Sequence, residues 1–381
     1  MKIYKYTGLI LLTLIQTASA KDKLSFKDWR DTVVKSNFSG VVLVASENKV
    51  LFKEAFGLAN REEKIPFSDD SIFDIGSLTK QFTATAILKL QESNKLSVND
   101  PLSKFFDNVP DDKKKITVHH LLTHTAGFIA NRGGGGSSNL YDVVTKKELI
   151  ESALKSKLLT LPGDEYNYSN IGYNLLAIII EKITEGKYET FYYENLFEPA
   201  GLTDTGYRLP KRAKNTVAIN YGADQTAYQR LFSIEAKSLP VGSPFQHLKL
   251  KEGPRFNIEG AGGMSSTVGD LFRWYMALNS NLILSDKSKN QLFLPHNESL
   301  EKKSKSHYGY GWDIKSTDRG TLHAQHNGSN GYSFADMRYF VDENIFIVLA
   351  TNDRDVYPQV VMDELLLLVG AGMANKALKQ D

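Results

Sequence analysis

Cysteine is absent from this chain of 381 residues, so no disulfide can stabilise it and no lipid can be attached to a cysteine. A protein of this length can instead rely on its apolar core alone. The chain also lacks an excess of one charge, because 46 basic residues nearly balance 44 acidic ones and leave a net charge of +2. Nucleic-acid-binding proteins usually carry a concentrated basic face, and this balance gives no support for that class.

Residues 1–20 have the pattern of a secretory signal peptide. Lys2 and Lys5 supply positive charge, and residues 8–15 form a short apolar run. Residues 18–20, Ala-Ser-Ala, fit a small-residue cleavage site. The apolar run is shorter than the ~20 residues that a membrane-spanning helix needs. We therefore predict that this segment is cleaved and the protein exported, with an uncleaved anchor as the alternative.

Strand patterns lie near both ends of the chain, and helix patterns fill most of its middle. The predicted helices are 25–36, 77–93, 146–157, 171–184, 188–196, 266–279 and 356–369, and the predicted strands are 38–45, 50–56, 308–314, 321–326, 332–340 and 344–351. This order predicts an α+β fold in which helices flank one antiparallel sheet built from both termini. We expect an α/β lobe of about 21–75 plus 256–381, an inserted mostly helical lobe of about 76–255, and a cleft at their boundary.

Three short motifs follow one another along the chain: Ser77-x-x-Lys80, Tyr168-x-Asn170 and His326-x-Gly328. Residues three apart are neighbours on a helix surface, so the first motif sets a hydroxyl beside an amine. A hydroxyl next to a group that can act as its base is an activated nucleophile. A tyrosine and a third basic group from distant segments can then handle the proton on the leaving side.

Each motif is weak when taken alone, since Ser-x-x-Lys also occurs at Ser46, Ser152 and Ser299. Context separates them. Ser46 lies in a predicted hairpin turn, Ser152 in a charged helix and Ser299 in a polar loop. Ser77 follows an extended stretch and begins a helical pattern of apolar residues, which favours it as the nucleophile.

The motifs and their surroundings resemble the serine β-lactamase and penicillin-binding-protein superfamily, on the branch of class C β-lactamases, DD-peptidases and related esterases. Further blocks that resemble the family lie at 40–45, 50–57, 116–127, 200–205 and 260–267. The likeness covers nearly all of residues 21–381. It implies the same α+β arrangement and a reaction through a serine acyl-enzyme.

The resemblance implies a role for each residue of the first two motifs. Ser77 would be the nucleophile, and its amide at a helix N-terminus would form half of an oxyanion hole. Lys80 would be the general base for acylation. Tyr168 would be the second acid/base group, while Tyr166 takes the structural place before it. Asn170 would hydrogen-bond Lys80 and the amide of the substrate.

His326 stands where the β-lactamases of the family carry a lysine. An unperturbed histidine has a pKa of ~6.5, so we expect it to titrate near neutrality and to hold a substrate carboxylate less firmly. This form resembles DD-peptidase and esterase members more than true β-lactamases. Gly328 would let the backbone approach the substrate, and Ser329 would supply the second oxyanion amide. The segment after Gly328 is one residue shorter than the common family form, which leaves the register of Ser329 open.

Each of these residues also has a purely structural alternative. Ser77 can be a plain N-cap and Lys80 a surface lysine. Tyr168 can be a core tyrosine with a satisfied hydroxyl, and Asn170 can cap the helix that follows it. His326 can simply hydrogen-bond its neighbours at the end of a strand.

The sequence therefore predicts an exported serine hydrolase that acts through a Ser77 acyl-enzyme on D-amino-acid peptides, such as peptidoglycan stems, or on small esters. A class C-like β-lactamase and an inactive peptidoglycan-binding relative remain the alternatives. We expect no cofactor, and no metal at His120 and His124, because the pattern of a zinc metalloprotease helix is incomplete there. Glycosylation sequons at Asn167 and Asn327 fall within the motifs, which favours a bacterial periplasm or exterior. The oligomeric state stays open.

Overall fold

Two strands from the beginning of the chain join six from its end in one antiparallel sheet. The computed structural model describes residues 25–129, 142–207, 217–222, 238–244, 255–298, 306–317, 320–354 and 359–374. The described strands are β1 (Gly40–Ser46), β2 (Lys49–Phe56), β3 (Leu58–Asn60), β4 (Ile65–Pro66), β5 (Phe73–Gly76), β6 (Asn220–Gly222), β7 (Leu239–Gly242), β8 (Met264–Ser266), β9 (Asn297–Glu298), β10 (His307–Tyr308), β11 (Asp313–Ser316), β12 (Leu322–Ser329), β13 (Phe334–Phe340) and β14 (Ile345–Thr351). The order across the main sheet is β2-β1-β14-β13-β12-β11-β10-β9.

The second and third strands in this order, β1 and β14, pair antiparallel over seven residues. All seven residues of β14 are buried, and β1 is buried except at its last residue, so both strands are apolar on their two faces. The turn from β1 to β2 contains Glu47 and Asn48 with φ of 50° and 61°. Two positive φ values in a two-residue loop match the twist of a hairpin, and they confirm the hairpin predicted there.

One predicted strand is wrong. The stretch 308–314 is divided into β10 and β11, which pair with each other. The turn between them passes close to other backbone: a Cβ on Gly309 would lie 2.7 Å from the carbonyl oxygen of Leu292, and one on Gly311 would lie 2.9 Å from that of Lys80. Gly311 also has a φ of 77°. Glycine at both positions therefore allows the chain to reverse against its neighbours.

The described helices are α1 (Phe26–Lys35), α2 (Thr79–Glu92), α3 (Val118–Leu122), α4 (Lys146–Lys155), α5 (Asn170–Thr184), α6 (Tyr188–Tyr192), α7 (Glu198–Ala200), α8 (Val268–Asn279), α9 (Asp286–Phe293) and α10 (Gln359–Ala374). The helix after Ser77, α2, is buried at eleven of its fourteen residues, so it runs through the interior and not along the surface. Its Phe82 contacts Trp274 of α8, with 4.6 Å between ring centroids. A rigid, enclosed helix thus carries Lys80.

The described residues divide into two compact units, one made of 25–38 with 359–374 and the other of those between 39 and 354. Within the first, the indole N–H of Trp29 donates to the carbonyl oxygen of Val361, 2.9 Å away. The second contains the main sheet and every residue of the three motifs. The α+β class and the antiparallel sheet are confirmed, while the predicted lobe boundaries stay a prediction.

The predicted signal peptide, residues 1–20, lies outside the described residues. Among the helices that are described, none has both the length and the apolar character required to cross a membrane.

Candidate active site

Ser77 lies in the short turn that joins β5 to α2. Within residues 71–80 it alone keeps partial exposure, and its neighbours on both sides are buried. The residue before it, Gly76, has a φ of 49°, and a Cβ there would lie 2.3 Å from the backbone nitrogen of Ser329. Glycine is required at this point because the end of β12 passes directly against the turn.

Lys80 is fully buried, one helical turn after Ser77. Its Nζ lies 3.1 Å from Ser77 Oγ, 2.8 Å from Asn170 Oδ1 and 2.6 Å from the carbonyl oxygen of Ala261. Burial lowers the pKa of Lys80 well below its usual value near 10.5. A neutral amine has two N–H groups and one lone pair. Asn170 Oδ1 and the Ala261 carbonyl can only accept, so they take both N–H groups and leave the lone pair for the Ser77 hydroxyl.

Tyr168 completes the group around Ser77, since its hydroxyl interacts with that of Ser77. Its ring lies against Lys80, with 4.8 Å between Nζ and the ring centroid. Burial raises the pKa of Tyr168 well above its usual value near 10, so the phenol keeps its proton at neutral pH. Tyr168 is therefore suited to donate a proton and to pass one on, and Lys80 is the better base.

His124 holds the segment that carries Tyr168. Its backbone carbonyl accepts the Asn167 N–H at 2.7 Å, and its Nδ1 accepts the Ser169 N–H at 3.1 Å. Its ring also packs against that of Tyr168, with 4.3 Å between centroids and 35° between the ring planes. His124 has a φ of 60°, which turns both its carbonyl and its ring toward this segment. One residue therefore fixes both neighbours of Tyr168 and one face of its ring.

His326 is buried near these groups and is held as a neutral imidazole. Its Nδ1 lies 2.6 Å from the carbonyl oxygen of Asn327, which can only accept, so Nδ1 carries the proton. Nε2, 3.0 Å from the Tyr308 hydroxyl, is then the acceptor of that bond. Burial lowers the pKa of His326 to about 3. The expectation that His326 titrates near neutrality is wrong, because its surroundings exclude the charged form.

The backbone of β12 lies against the Ser77 turn at Gly328 and Ser329. A Cβ on Gly328 would lie 2.0 Å from the carbonyl oxygen of Ile75 and 2.6 Å from the Ser77 nitrogen. Ser329 is the last residue of β12 and pairs with Phe334 of β13. The amide nitrogens of Ser77 and Ser329 therefore belong to two backbone segments that are in direct contact.

The structure thus brings the three motifs together. Lys80 is hydrogen-bonded to Ser77 and Asn170, and the Tyr168 ring lies against its amine. The Tyr168 and His326 rings lie 6.3 Å apart between centroids. Tyr166 lies beside this group, with its ring 5.7 Å from that of His124.

Sequence reasoning missed two residues of the site, His124 and Tyr308. The pattern around His124 indicates only a structural block, and the pattern around Tyr308 indicates a longer strand. A histidine between two threonines, just after a short helix, is the available signal. His120, four residues earlier, faces elsewhere, because its Nδ1 accepts the Thr117 N–H at the start of α3.

No cluster of three or more histidine, cysteine, aspartate or glutamate side chains with metal-binding geometry is found in the described part of the chain.

The sequence profile of the Beta-lactamase family matches residues 28–371. The chain belongs to the Beta-lactamase family. Penicillin-binding protein 4* of Bacillus subtilis (strain 168) is 29% identical over 340 residues, which cover 86% of this chain and 71% of that protein. The resemblance inferred from the motifs is therefore confirmed.

Solved structures agree with this assignment. The octameric penicillin-binding protein homologue from Pyrococcus abyssi has a TM-score of 0.77 and 26% identity, over 91% of this chain and 78% of that one. The D-amino acid amidase from Ochrobactrum anthropi SV3 shares the fold, with a TM-score of 0.73 and 20% identity over 92% and 98% of the two chains. This member of the Beta-lactamase family is thus similar to penicillin-binding proteins and belongs among serine hydrolases.

Proposed function

We propose that the chain is a serine hydrolase that forms an acyl-enzyme on Ser77 and acts on D-amino-acid peptides or small esters. The observation that supports this most strongly is the environment of Lys80. A buried amine whose two N–H groups are taken by Asn170 and Ala261 has its lone pair available to the Ser77 hydroxyl, 3.1 Å away. A plain structural lysine has no need of this arrangement.

In the proposed acylation, Lys80 accepts the Ser77 proton as Oγ attacks the carbonyl carbon of the substrate. The amides of Ser77 and Ser329 donate to the oxygen that becomes negative. Tyr168 gives its proton to the leaving amine or alcohol and receives one from Lys80, so no net proton is lost. In deacylation a water molecule attacks the ester and gives a proton to Lys80. As the bond to Ser77 breaks, Tyr168 donates its proton to Ser77 Oγ and receives one from Lys80, so Ser77 regains its hydroxyl.

The neutral His326 supplies no positive charge for a substrate carboxylate, which counts against penicillins and favours esters and peptides that carry no carboxylate at this place. A lysine at this position would offer a positive charge to the carboxylate of a penicillin. His326 offers none at neutral pH, and its Nε2 already accepts from Tyr308. The relation to penicillin-binding protein 4* supports a serine that a penicillin can acylate, and peptides and small esters fit the same acylation chemistry.

Intact-mass spectrometry of the protein incubated with a penicillin or with an activated short-chain ester tests the proposal. A stable penicillin adduct on Ser77, with turnover of a D-alanyl peptide, would identify a peptidase. Ester turnover without an adduct would identify an esterase, and rapid penicillin turnover would identify a β-lactamase. Ser77→Ala should abolish every adduct and all turnover while its Tm stays within about 2 °C of the parent.

No adduct and no turnover with any of these compounds would overturn the enzymatic proposal and leave an inactive peptidoglycan-binding protein. Turnover that persists in Ser77→Ala would show that the assignment of the nucleophile is wrong.

We further propose that the protein is exported by a bacterium to its periplasm or exterior. The pattern of residues 1–20 and the bacterial relative support this. N-terminal sequencing of the protein recovered from a fractionated bacterial host tests it. A mature N-terminus at residue 21 outside the cytoplasm is expected, and an intact leader in the cytoplasmic fraction would contradict it.

A further inference from the structure

Two buried side chains connect the backbone segments that carry the Ser77 and Ser329 amides. Asp74 accepts the Gly76 N–H on Oδ1 at 2.8 Å, and Gly76 directly precedes Ser77. Asp74 Oδ2 accepts from Nδ2 of Asn330 at 3.1 Å, and Asn330 directly follows Ser329. Asp74 is 1% exposed and Asn330 is 7% exposed, so water competes little for either group.

The same two residues also fix the loop after Ser329. Asn330 Oδ1 accepts the N–H groups of Tyr332 and Ser333, at 2.9 and 2.8 Å. The Ser333 hydroxyl donates to the backbone carbonyl of Asp74 at 3.0 Å. The Asn330 side chain therefore donates from Nδ2 to Asp74 and accepts on Oδ1 from the loop after Ser329. It cannot rotate without losing these bonds.

These side-chain bonds matter because β5 and β12, which end beside Ser77 and at Ser329, do not pair with each other. Gly76 ends β5, which pairs with β8 in a separate two-stranded sheet, whereas Ser329 ends β12 of the main sheet. Oxyanion donors must both lie within hydrogen-bond distance of one oxygen, and small displacements weaken them. The distance between the amides of Ser77 and Ser329 thus depends on the contact between two independent sheets.

We propose that Asp74 and Asn330 are positioning residues that hold the two amides at the spacing required to bind one oxyanion. This inference rests on the proposed function of Ser77. Neither side chain touches the reacting atoms; each acts through the backbone beside it.

Isosteric exchange of the two groups tests the inference in the full-length protein. Asp74→Asn sets two amide N–H groups against each other, and Asn330→Asp sets two carboxylates against each other. The double variant Asp74→Asn/Asn330→Asp restores a bond of reversed direction, since the amide introduced at position 74 can donate to the carboxylate introduced at position 330. The matched control is Gln91→Glu, the same kind of amide-for-carboxylate exchange, which removes the N–H that donates to Gln291 at 2.9 Å in another part of the fold.

We expect kcat for an activated neutral ester to fall by about 10- to 100-fold in each single variant, with KM changed by less than about threefold. The inhibition constant of phenylboronic acid, whose serine adduct is tetrahedral, should rise by a similar factor. In the double variant, kcat and the inhibition constant should each return to within about threefold of the parental value. Gln91→Glu should match the parent in both quantities.

Ser333→Ala is a milder variant that loses only the bond to the Asp74 carbonyl. It should lower kcat by about threefold to tenfold at unchanged KM, and it decides the question if the single exchanges fail to fold. Parental kcat in a folded Ser333→Ala, or a folded double variant that stays as slow as the singles, would overturn the inference.

The proposed function can fail separately. A parent protein that neither hydrolyses the ester nor binds the boronate would overturn that function, and the positioning role with it. An active parent whose single variants lose stability but keep kcat would overturn the positioning role alone.

Discussion

Replacing Asn170 by aspartate should move the pH at which the protein becomes active. The Asn170 oxygen lies 2.8 Å from Lys80 Nζ, so the variant sets a carboxylate beside the amine without changing the shape of the side chain. In the parent, burial lowers the pKa of Lys80 and so favours the neutral amine. A negative charge at this distance stabilises the ammonium form and raises that pKa again.

The magnitude follows from the distance. At 2.8 Å and an effective dielectric constant of ~20, two unit charges attract by about 6 kcal/mol, which corresponds to about four pKa units as an upper bound. The cost of burying the new carboxylate offsets part of this. We therefore expect the pH at which kcat/KM reaches half of its plateau to rise by about two units in the variant.

The assay is the pH profile of kcat/KM between pH 5 and 10, measured with an activated ester that carries no ionisable group. A base is active above its pKa, so kcat/KM of the parent should reach its plateau at a lower pH than that of the variant. In Asn170→Asp, kcat/KM should rise only as the pH passes the raised pKa of Lys80. Asn170→Leu is the control, because it removes the same hydrogen bond without adding charge. Its activity should fall, but its profile should keep the position of the parent.

Profiles of Asn170→Asp and Asn170→Leu that rise at the same pH would refute this reasoning. The group that limits activity at low pH would then not be Lys80, and its assignment as the base for Ser77 would be lost.

Three further predictions concern the surroundings of the site. Burial lowers the pKa of His326 to about 3, so His326 should not titrate between pH 5 and 8. His326→Gln should therefore change the height of the pH profile of kcat/KM in this range but not its shape. An inflection near pH 6.5 in the parent that disappears in the variant would contradict this. His124→Ala should lower kcat about tenfold or more, because the segment and ring of Tyr168 lose their contacts with His124. His120→Ala should lower mainly the Tm, since His120 bonds only the start of α3. Steady-state kinetics and thermal unfolding of the two variants would test this. Gly76→Ala should destabilise the protein by about 2 kcal/mol or more and lower kcat, because the new Cβ would clash with the backbone of Ser329. Gly201 also has a positive φ but nothing within 4 Å of a new Cβ, so Gly201→Ala should lower only the stability. Equal losses of kcat in the two variants would count against the clash as the cause.

Local patterns were enough to predict most of the elements around the site. The helix predicted at 77–93 is α2, Thr79–Glu92, and the strands predicted at 332–340 and 344–351 are β13 and β14. These segments bury apolar residues at regular spacing, and that spacing is visible in the sequence. The antiparallel sheet from both termini followed from their order along the chain.

Chain reversals that depend on close contact with backbone from elsewhere in the fold could not be predicted in the same way. The chain turns between β10 and β11 because glycines at 309 and 311 pass against the backbone of Leu292 and Lys80. These neighbours are distant from that turn in the sequence, so the stretch resembled one strand. The neutral state of His326 has a similar origin, since burial by segments distant in the sequence lowers its pKa. One of these neighbours is Tyr308 of β10, whose hydroxyl is bonded to Nε2.

The chemistry proposed for Lys80 shows most clearly where sequence reasoning ends. The motif places the amine beside the Ser77 hydroxyl, but the same spacing at Ser46, Ser152 and Ser299 has no such meaning. What gives Lys80 a free lone pair is burial together with two acceptors, Asn170 and the Ala261 carbonyl, which are 90 and 181 residues away. The Ala261 contribution comes from backbone and leaves no mark in residue type. A Ser-x-x-Lys motif can therefore suggest a nucleophile, and only the fold around the lysine can make it a base.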